Sequence, residues 1–233
     1  MLSGCLIIAL LLSISTTPTL LYAKNTTYRY SKTTVNIRVK PNTHSKIVGQ
    51  LHFNDKVLVV KSANKKWYQI RYKKKTRYVA SKYFSKKKAK YKSFSSPSSK
   101  TFKSYEDANC MTDNPKVPQG KLKKDYQLDT ESGVWMVGNR YCIAVGSYYT
   151  RKIGVKIDLV LSHNSKRHIL KCITADGKAD RDTIDNHRMH RDGSVVEFVV
   201  KTGSLPKMAR RMGDISYAGK KFRGKVTELR VYR

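Results

Sequence analysis

Residues 34–39, Thr34-Val35-Asn36-Ile37-Arg38-Val39, alternate between apolar and polar side chains, and Lys40-Pro41-Asn42 then turns the chain. A period of two puts Val35, Ile37 and Val39 on one face of a strand and the polar residues on the other. Working outward, the same kind of segment recurs. Lys46-Ile47-Val48-Gly49-Gln50-Leu51 comes next, and Asn54-Asp55 makes a turn. Then follow Lys56-Val57-Leu58-Val59-Val60-Lys61, Trp67-Tyr68-Gln69-Ile70-Arg71-Tyr72 and Tyr78-Val79. Short strands at a spacing of about ten residues predict a small all-β barrel over residues 33–84. Val, Ile, Leu and Trp67 take its buried positions.

The order of these segments carries a family resemblance. Val35-Asn36-Ile37-Arg38, Pro41, Ile47-Val48-Gly49, Asp55-Lys56-Val57, Trp67-Tyr68-Gln69-Ile70 and Tyr83-Phe84 together resemble the bacterial SH3 (SH3b) domain. The sequence departs from that family at Asn54 and Arg77, where glycine is usual. Asn accepts positive φ better than most residues, so Asn54 suits a turn, whereas Arg77 leaves the second turn less defined. The resemblance implies a module that binds peptidoglycan or its cross-bridge. Trp67 and Tyr68 are its candidate substrate-binding stackers, and a core position for Trp67 is the competing assignment.

Charge divides the chain. The 233 residues carry a formal net charge of +32. Residues 24–105 hold 23 Lys+Arg against the single acid Asp55, a net +22, and residues 106–233 hold 25 against 15, a net +10. Such a chain has a polyanion near it. Hydrophobic residues make up 39%, enough for real cores, so a disordered polycation is excluded. Residues 85–103, SKKKAKYKSFSSPSSKTFK, lack periodicity and read as a solvated basic linker over 85–105. Tyr91, Phe94 and Phe102 within it are either incidental or available to a sugar or membrane surface.

Compartment decides which polyanion is meant. Residues 6–12, LIIALLL, form an apolar run of signal-peptide length, with small Ala23 before Lys24. A signal peptide over 1–23 is expected, although no Lys or Arg precedes the run. The mature chain has no stretch of about 20 apolar residues, so no transmembrane segment is expected in it. Export places genomic DNA and RNA on the wrong side of the membrane. The expected location is the wall of a Gram-positive-type bacterium, with peptidoglycan and wall polyanions such as teichoic acid as partners and no intracellular nucleic acid.

Residues 106–233 again predict strands, at 134–137, 141–146, 156–161, 169–175, 195–200 and 226–232, with a short helix around 205–212. A small closed barrel is the expected architecture, since closure removes exposed edges. Tyr141-Cys142-Ile143-Ala144-Val145-Gly146-Ser147, Ile153-Gly154-Val155-Lys156-Ile157-Asp158-Leu159, Ile173-Thr174-Ala175-Asp176-Gly177-Lys178-Ala179-Asp180 and Gly193-Ser194-Val195-Val196-Glu197-Phe198 follow in an order that resembles the double-psi β-barrel of the 3D, RlpA-like and MltA-like cell-wall proteins. That resemblance implies a lytic transglycosylase cutting peptidoglycan glycan strands. By position, Asp176 matches the acid of the family's turn and Glu197 the catalytic acid of its later strand. The turn continues Gly-Lys-Ala where the family has Thr-Gly-Gly, and the strand acid is Glu where the family has Asp.

One acid suffices for non-hydrolytic cleavage. It protonates the leaving oxygen and then takes the proton of the sugar's own hydroxyl as an anhydro ring closes. Glu197 between Val196 and Phe198 would be hindered from ionising if those neighbours surround it, or alternation would turn it to solvent. Lys178 and His187 complete the substrate-binding candidates. Asp176, Asp180, Asp182 and Asp185 do not fit an EF-hand, and His187 and His190 have no cysteine pair beside them, so neither metal nor cofactor is expected. Cys110, Cys142 and Cys172 leave two assignments open, a Cys142–Cys172 cross-strand bridge or buried thiols. The expectation is an all-β, two-unit wall protein that binds peptidoglycan and cleaves its glycan. The alternatives are a non-enzymatic wall or polyanion binder and an extracellular nucleic-acid binder.

Overall fold

The computed structural model describes residues 27–233, so the signal peptide expected at 1–23 lies outside the described residues. The first seven strands are β1 (Thr27–Ser31), β2 (Val35–Arg38), β3 (Ile47–Leu51), β4 (Lys56–Asn64), β5 (Trp67–Tyr72), β6 (Lys75–Ala80) and β7 (Phe84–Ser85). They form one antiparallel sheet in the order β3-β2-β6-β5-β4-β1-β7. Its core is the alternating set read from the sequence: Val35, Ile37, Val57, Val59, Ile70 and Val79, closed by Phe84. Asn54 takes φ +70° in the turn before Asp55, as its residue type permits.

The second turn differs from expectation. Lys73 and Lys74, at φ +49° and +61°, connect β5 to β6. Arg77 therefore lies within β6 and pairs with Ile70. A two-residue hairpin loop needs two positive φ values, and here two lysines supply them in place of the expected glycine.

The remaining strands are β8 (Tyr91–Ser95), β9 (Ser104–Asp107), β10 (Tyr126–Asp129), β11 (Val134–Val137), β12 (Arg140–Val145), β13 (Lys156–His163), β14 (Lys166–Gly177), β15 (Thr183–Ile184), β16 (Met189–His190), β17 (Val196–Val200) and β18 (Lys225–Tyr232). Two short helices, α1 (Pro118–Lys123) and α2 (Lys207–Met212), accompany them. The all-β class is thus observed. The second sheet runs β10-β11-β17-β12-β14-β13-β18-β8, with β9 added beside β17. Among the described residues, no pairing joins its β10 end to its β8 end. β15 and β16 form a separate hairpin.

Two strands lie inside the stretch expected to be a solvated linker. Tyr91–Ser95 pairs with β18 along its length, and Ser104 begins β9. β8 is an edge strand with mostly exposed side chains, so its sequence carries no burial pattern. Phe94, one of the three aromatics read as incidental or available to a sugar or membrane surface, packs edge-on against Tyr148 and Tyr149.

β12 is buried along its whole length because both faces of the sheet are covered. On one face Tyr141, Ile143 and Val145 join Leu159, Phe198, Phe222 and Leu229 in the main core, with Ala209 of α2 and Ile215 packed over it. On the other face Cys142 joins Ala108, Met111, Ile173, Ala175 and Val199 in a smaller core, flanked by Leu122 of α1, Tyr126 and Trp135. Cys142 and Cys172 consequently sit on opposite faces of adjacent strands, and both are free buried thiols. The cross-strand bridge is therefore not formed.

Candidate functional site

The smaller face of the second sheet gathers the acids. β12 pairs with β14 on one side and β17 on the other, and Ala144 is in register with Asp176 on the first and Glu197 on the second. The two carboxylates thus flank a small residue, their strands two spacings or roughly 10 Å apart. β9 runs parallel to β17, with Glu106 opposite Val199 and Ser104 opposite Glu197. Parallel register keeps Glu106 on the same face as Glu197, one step along the strand. Three carboxyl groups from three strands therefore share one surface.

Lys178 follows β14 and lies under this surface. Its backbone N–H donates to the Val145 carbonyl at 3.1 Å. Its ammonium group is 3.7 Å from Glu197 Oε2 and 3.2 Å from Ser194 Oγ, with the side chain only 1% exposed. Ser194 in turn bonds Ser104 at 2.9 Å. Of the two settings open to Glu197, the apolar one is absent, because Val196 and Phe198 point into the main core on the opposite face. The side chain of Glu197 is instead 25% exposed beside Lys178.

Glu106 occupies an environment that hinders ionisation. Burial, then the nearby carboxyls of Glu197 and Asp176, push its pKa up to about 7, with Lys178 opposing. Its Oε1 is buried without a hydrogen-bond partner. Burial lowers the pKa of Lys178, against the carboxylates around it. A carboxyl that keeps its proton to near neutrality can give that proton to an oxygen and take one back. The sequence does not single out Glu106, since its neighbours on the sheet come from β17.

Asp176 and Lys178 also line a cavity of about 330 Å³ with Gln119, Ser147, Arg151 and Asp180. At its margin Asp180 accepts from Ser147 Oγ at 2.6 Å and from Arg151 at 3.1 Å. His187 lies next to Asp180, with Nδ1 at 3.6 Å from the carboxylate and 2.7 Å from Thr183 Oγ1. Asp180 therefore lies between His187 and the cavity. Trp67 and Tyr68 belong to the first sheet. Trp67 is buried, which leaves little ring face for a ligand. Tyr68 is half-buried and rests edge-on against Phe84 at 5.9 Å. Burial pushes the Cys142 thiol up to about 12, a poor nucleophile. Among the described residues, no group of three or more His, Cys, Asp or Glu is placed to hold a metal ion.

Comparison with known proteins bears on the first sheet. Residues 33–85 match the bacterial SH3 domain family, over the stretch from which the resemblance was read. No curated protein matches the chain. Among the described residues, no helix is long and apolar enough to cross a membrane.

Proposed function

We propose that this chain is an exported cell-wall protein that attaches through its SH3 domain and cuts peptidoglycan glycan at the Glu106–Asp176–Glu197 cluster as a lytic transglycosylase. The bacterial SH3 match supports attachment, as does the net +22 of residues 24–105. The observation that carries the cleavage proposal is Glu106, a largely buried carboxyl raised to about 7 beside Asp176 and the partly exposed Glu197. In this reading Glu106 protonates the glycosidic oxygen as the bond to the sugar breaks. The resulting carboxylate removes the proton from that sugar's own hydroxyl, whose oxygen closes the anhydro ring. Glu197 and Asp176 face the cationic charge that develops at the sugar, and Lys178 holds Glu197 in place. A double-psi arrangement of the second sheet belongs to this proposal, supported by the parallel pairings of β12 with β14 and β9 with β17.

A non-enzymatic wall binder is the second reading, favoured by the contact of Lys178 with Glu197, which gives that acid a structural partner. Purified wall incubated with the chain and with Glu106→Gln and Glu197→Gln separates the two. Soluble glycan fragments released by the parent and lost in both variants support cleavage. Wall binding without fragments from any of them supports the binder.

A further inference from the structure

The first sheet meets the second along a cleft of about 520 Å³ that contains no acidic side chain. Phe53 and Tyr232 meet edge to face there, with ring centroids 5.1 Å apart. Lys156 at the start of β13 is half-buried and places its ammonium 5.3 Å from the Phe53 ring centre, while Lys32, Lys87 and Lys88 are exposed around the opening. None of these four lysines has a carboxylate within 4.0 Å among the described residues. Asp158, two residues along β13 from Lys156, is already taken by Arg140 at 2.9 Å and by the Tyr232 hydroxyl at 2.8 Å.

We propose that this cleft is a binding site for a polyol phosphate, with Lys156 at its back and Lys32, Lys87 and Lys88 at its mouth. The opening is preformed. The amide of Asn54 accepts from Ala89 N–H at 2.8 Å and donates to the Ala89 carbonyl at 3.4 Å, which fixes the segment carrying Lys87 and Lys88. A half-buried ammonium with no counter-charge is costly unless an anion completes it. Burial and the neighbouring Arg140 guanidinium accordingly lower the pKa of Lys156. The Phe53 and Tyr232 rings give the cleft apolar surface for the carbon chain of a polyol. A nucleic-acid base would need a free ring face for stacking, but the Phe53 ring already carries Lys156 and the Arg140 guanidinium, the latter at 5.2 Å. The volume is within the range of small-ligand sites.

The proposal shares with wall attachment only the natural source of the polyol phosphate, and its test needs no wall. Titration calorimetry of the purified chain with glycerol 3-phosphate at low salt should show binding that weakens about tenfold or more in Lys156→Gln, since a hydrogen bond to a charged group contributes roughly 1.5–3 kcal/mol. Lys207→Gln removes the same charge from an exposed site on α2, which covers the opposite face of the second sheet, and should change the affinity less than about twofold. Lys156→Arg, which preserves charge and fold, should retain most of the binding. Equal weakening by Lys207→Gln and Lys156→Gln, or no binding by the folded parent, overturns the site. Inorganic phosphate binding as tightly as glycerol 3-phosphate, or an oligothymidylate binding more tightly and losing affinity in Lys156→Gln, overturns the polyol assignment.

Discussion

Replacing Glu106 by glutamine should stabilise the protein at alkaline pH and leave it unchanged in mild acid. In the fold this carboxyl is raised from 4.5 to about 7, chiefly by burial and then by Glu197 and Asp176. A raised acid binds its proton more tightly when folded, so stability is full below the unfolded value and falls as pH rises through the folded one. At about 1.4 kcal/mol per pH unit, the difference amounts to roughly 3 kcal/mol above neutrality. Glutamine keeps the shape and has no charge to bury, so it removes that cost. Urea unfolding of parent and Glu106→Gln, at fixed ionic strength from about pH 4 to pH 8, measures the difference directly. The curves should coincide near pH 4 and separate by about 2–3 kcal/mol near pH 8. Parallel curves throughout would refute the assignment of Glu106 as the strained acid.

Three further changes probe other parts of the account. Asp158→Ala should cost about 3–5 kcal/mol in unfolding free energy, because it leaves the Arg140 guanidinium, 5% exposed, without its carboxylate; a cost below about 1 kcal/mol would contradict this. Gly146→Ala should cost about 1–3 kcal/mol, since a Cβ there runs into the His187 carbonyl; an unchanged thermal midpoint would show that the 185–187 loop gives way. Lys73-Lys74→Asn-Gly should raise stability by about 1 kcal/mol, because both lysines hold left-handed backbone, and a denaturant midpoint that fails to rise would refute the strain.

How much of this could be read from the sequence depended on whether structure was local. Val35, Ile37, Val57 and Val59 announce their strands because each alternates against a single buried face. β8 does not, because an edge strand with one half-buried residue has no pattern to show. Arg77 was a misleading turn marker, as Lys73 and Lys74 make the turn three to four residues earlier. At the site, Glu197 and Asp176 were legible as acids on β-type segments, and the structure sets them on either side of Ala144. Their surroundings were not legible. Sequence neighbours of Glu197 point to the opposite face, and its spatial neighbours Lys178 and Glu106 arrive through a turn after β14 and a parallel strand far away in the chain. The positive charge of residues 24–105 was likewise legible, while the gathering of Lys32, Lys87 and Lys88 with Lys156 around one cleft needed the fold.

In the proposed reaction, a protonated carboxyl on the second sheet opens glycan by closing a ring within it. Mass analysis of the fragments released from purified wall tests this most directly. Anhydro-sugar termini, each lighter by one water than a hydrolytic product, should be released by the parent and be absent with Glu106→Gln. Fragments carrying ordinary reducing ends, or no fragments from a chain that binds the wall, would contradict it.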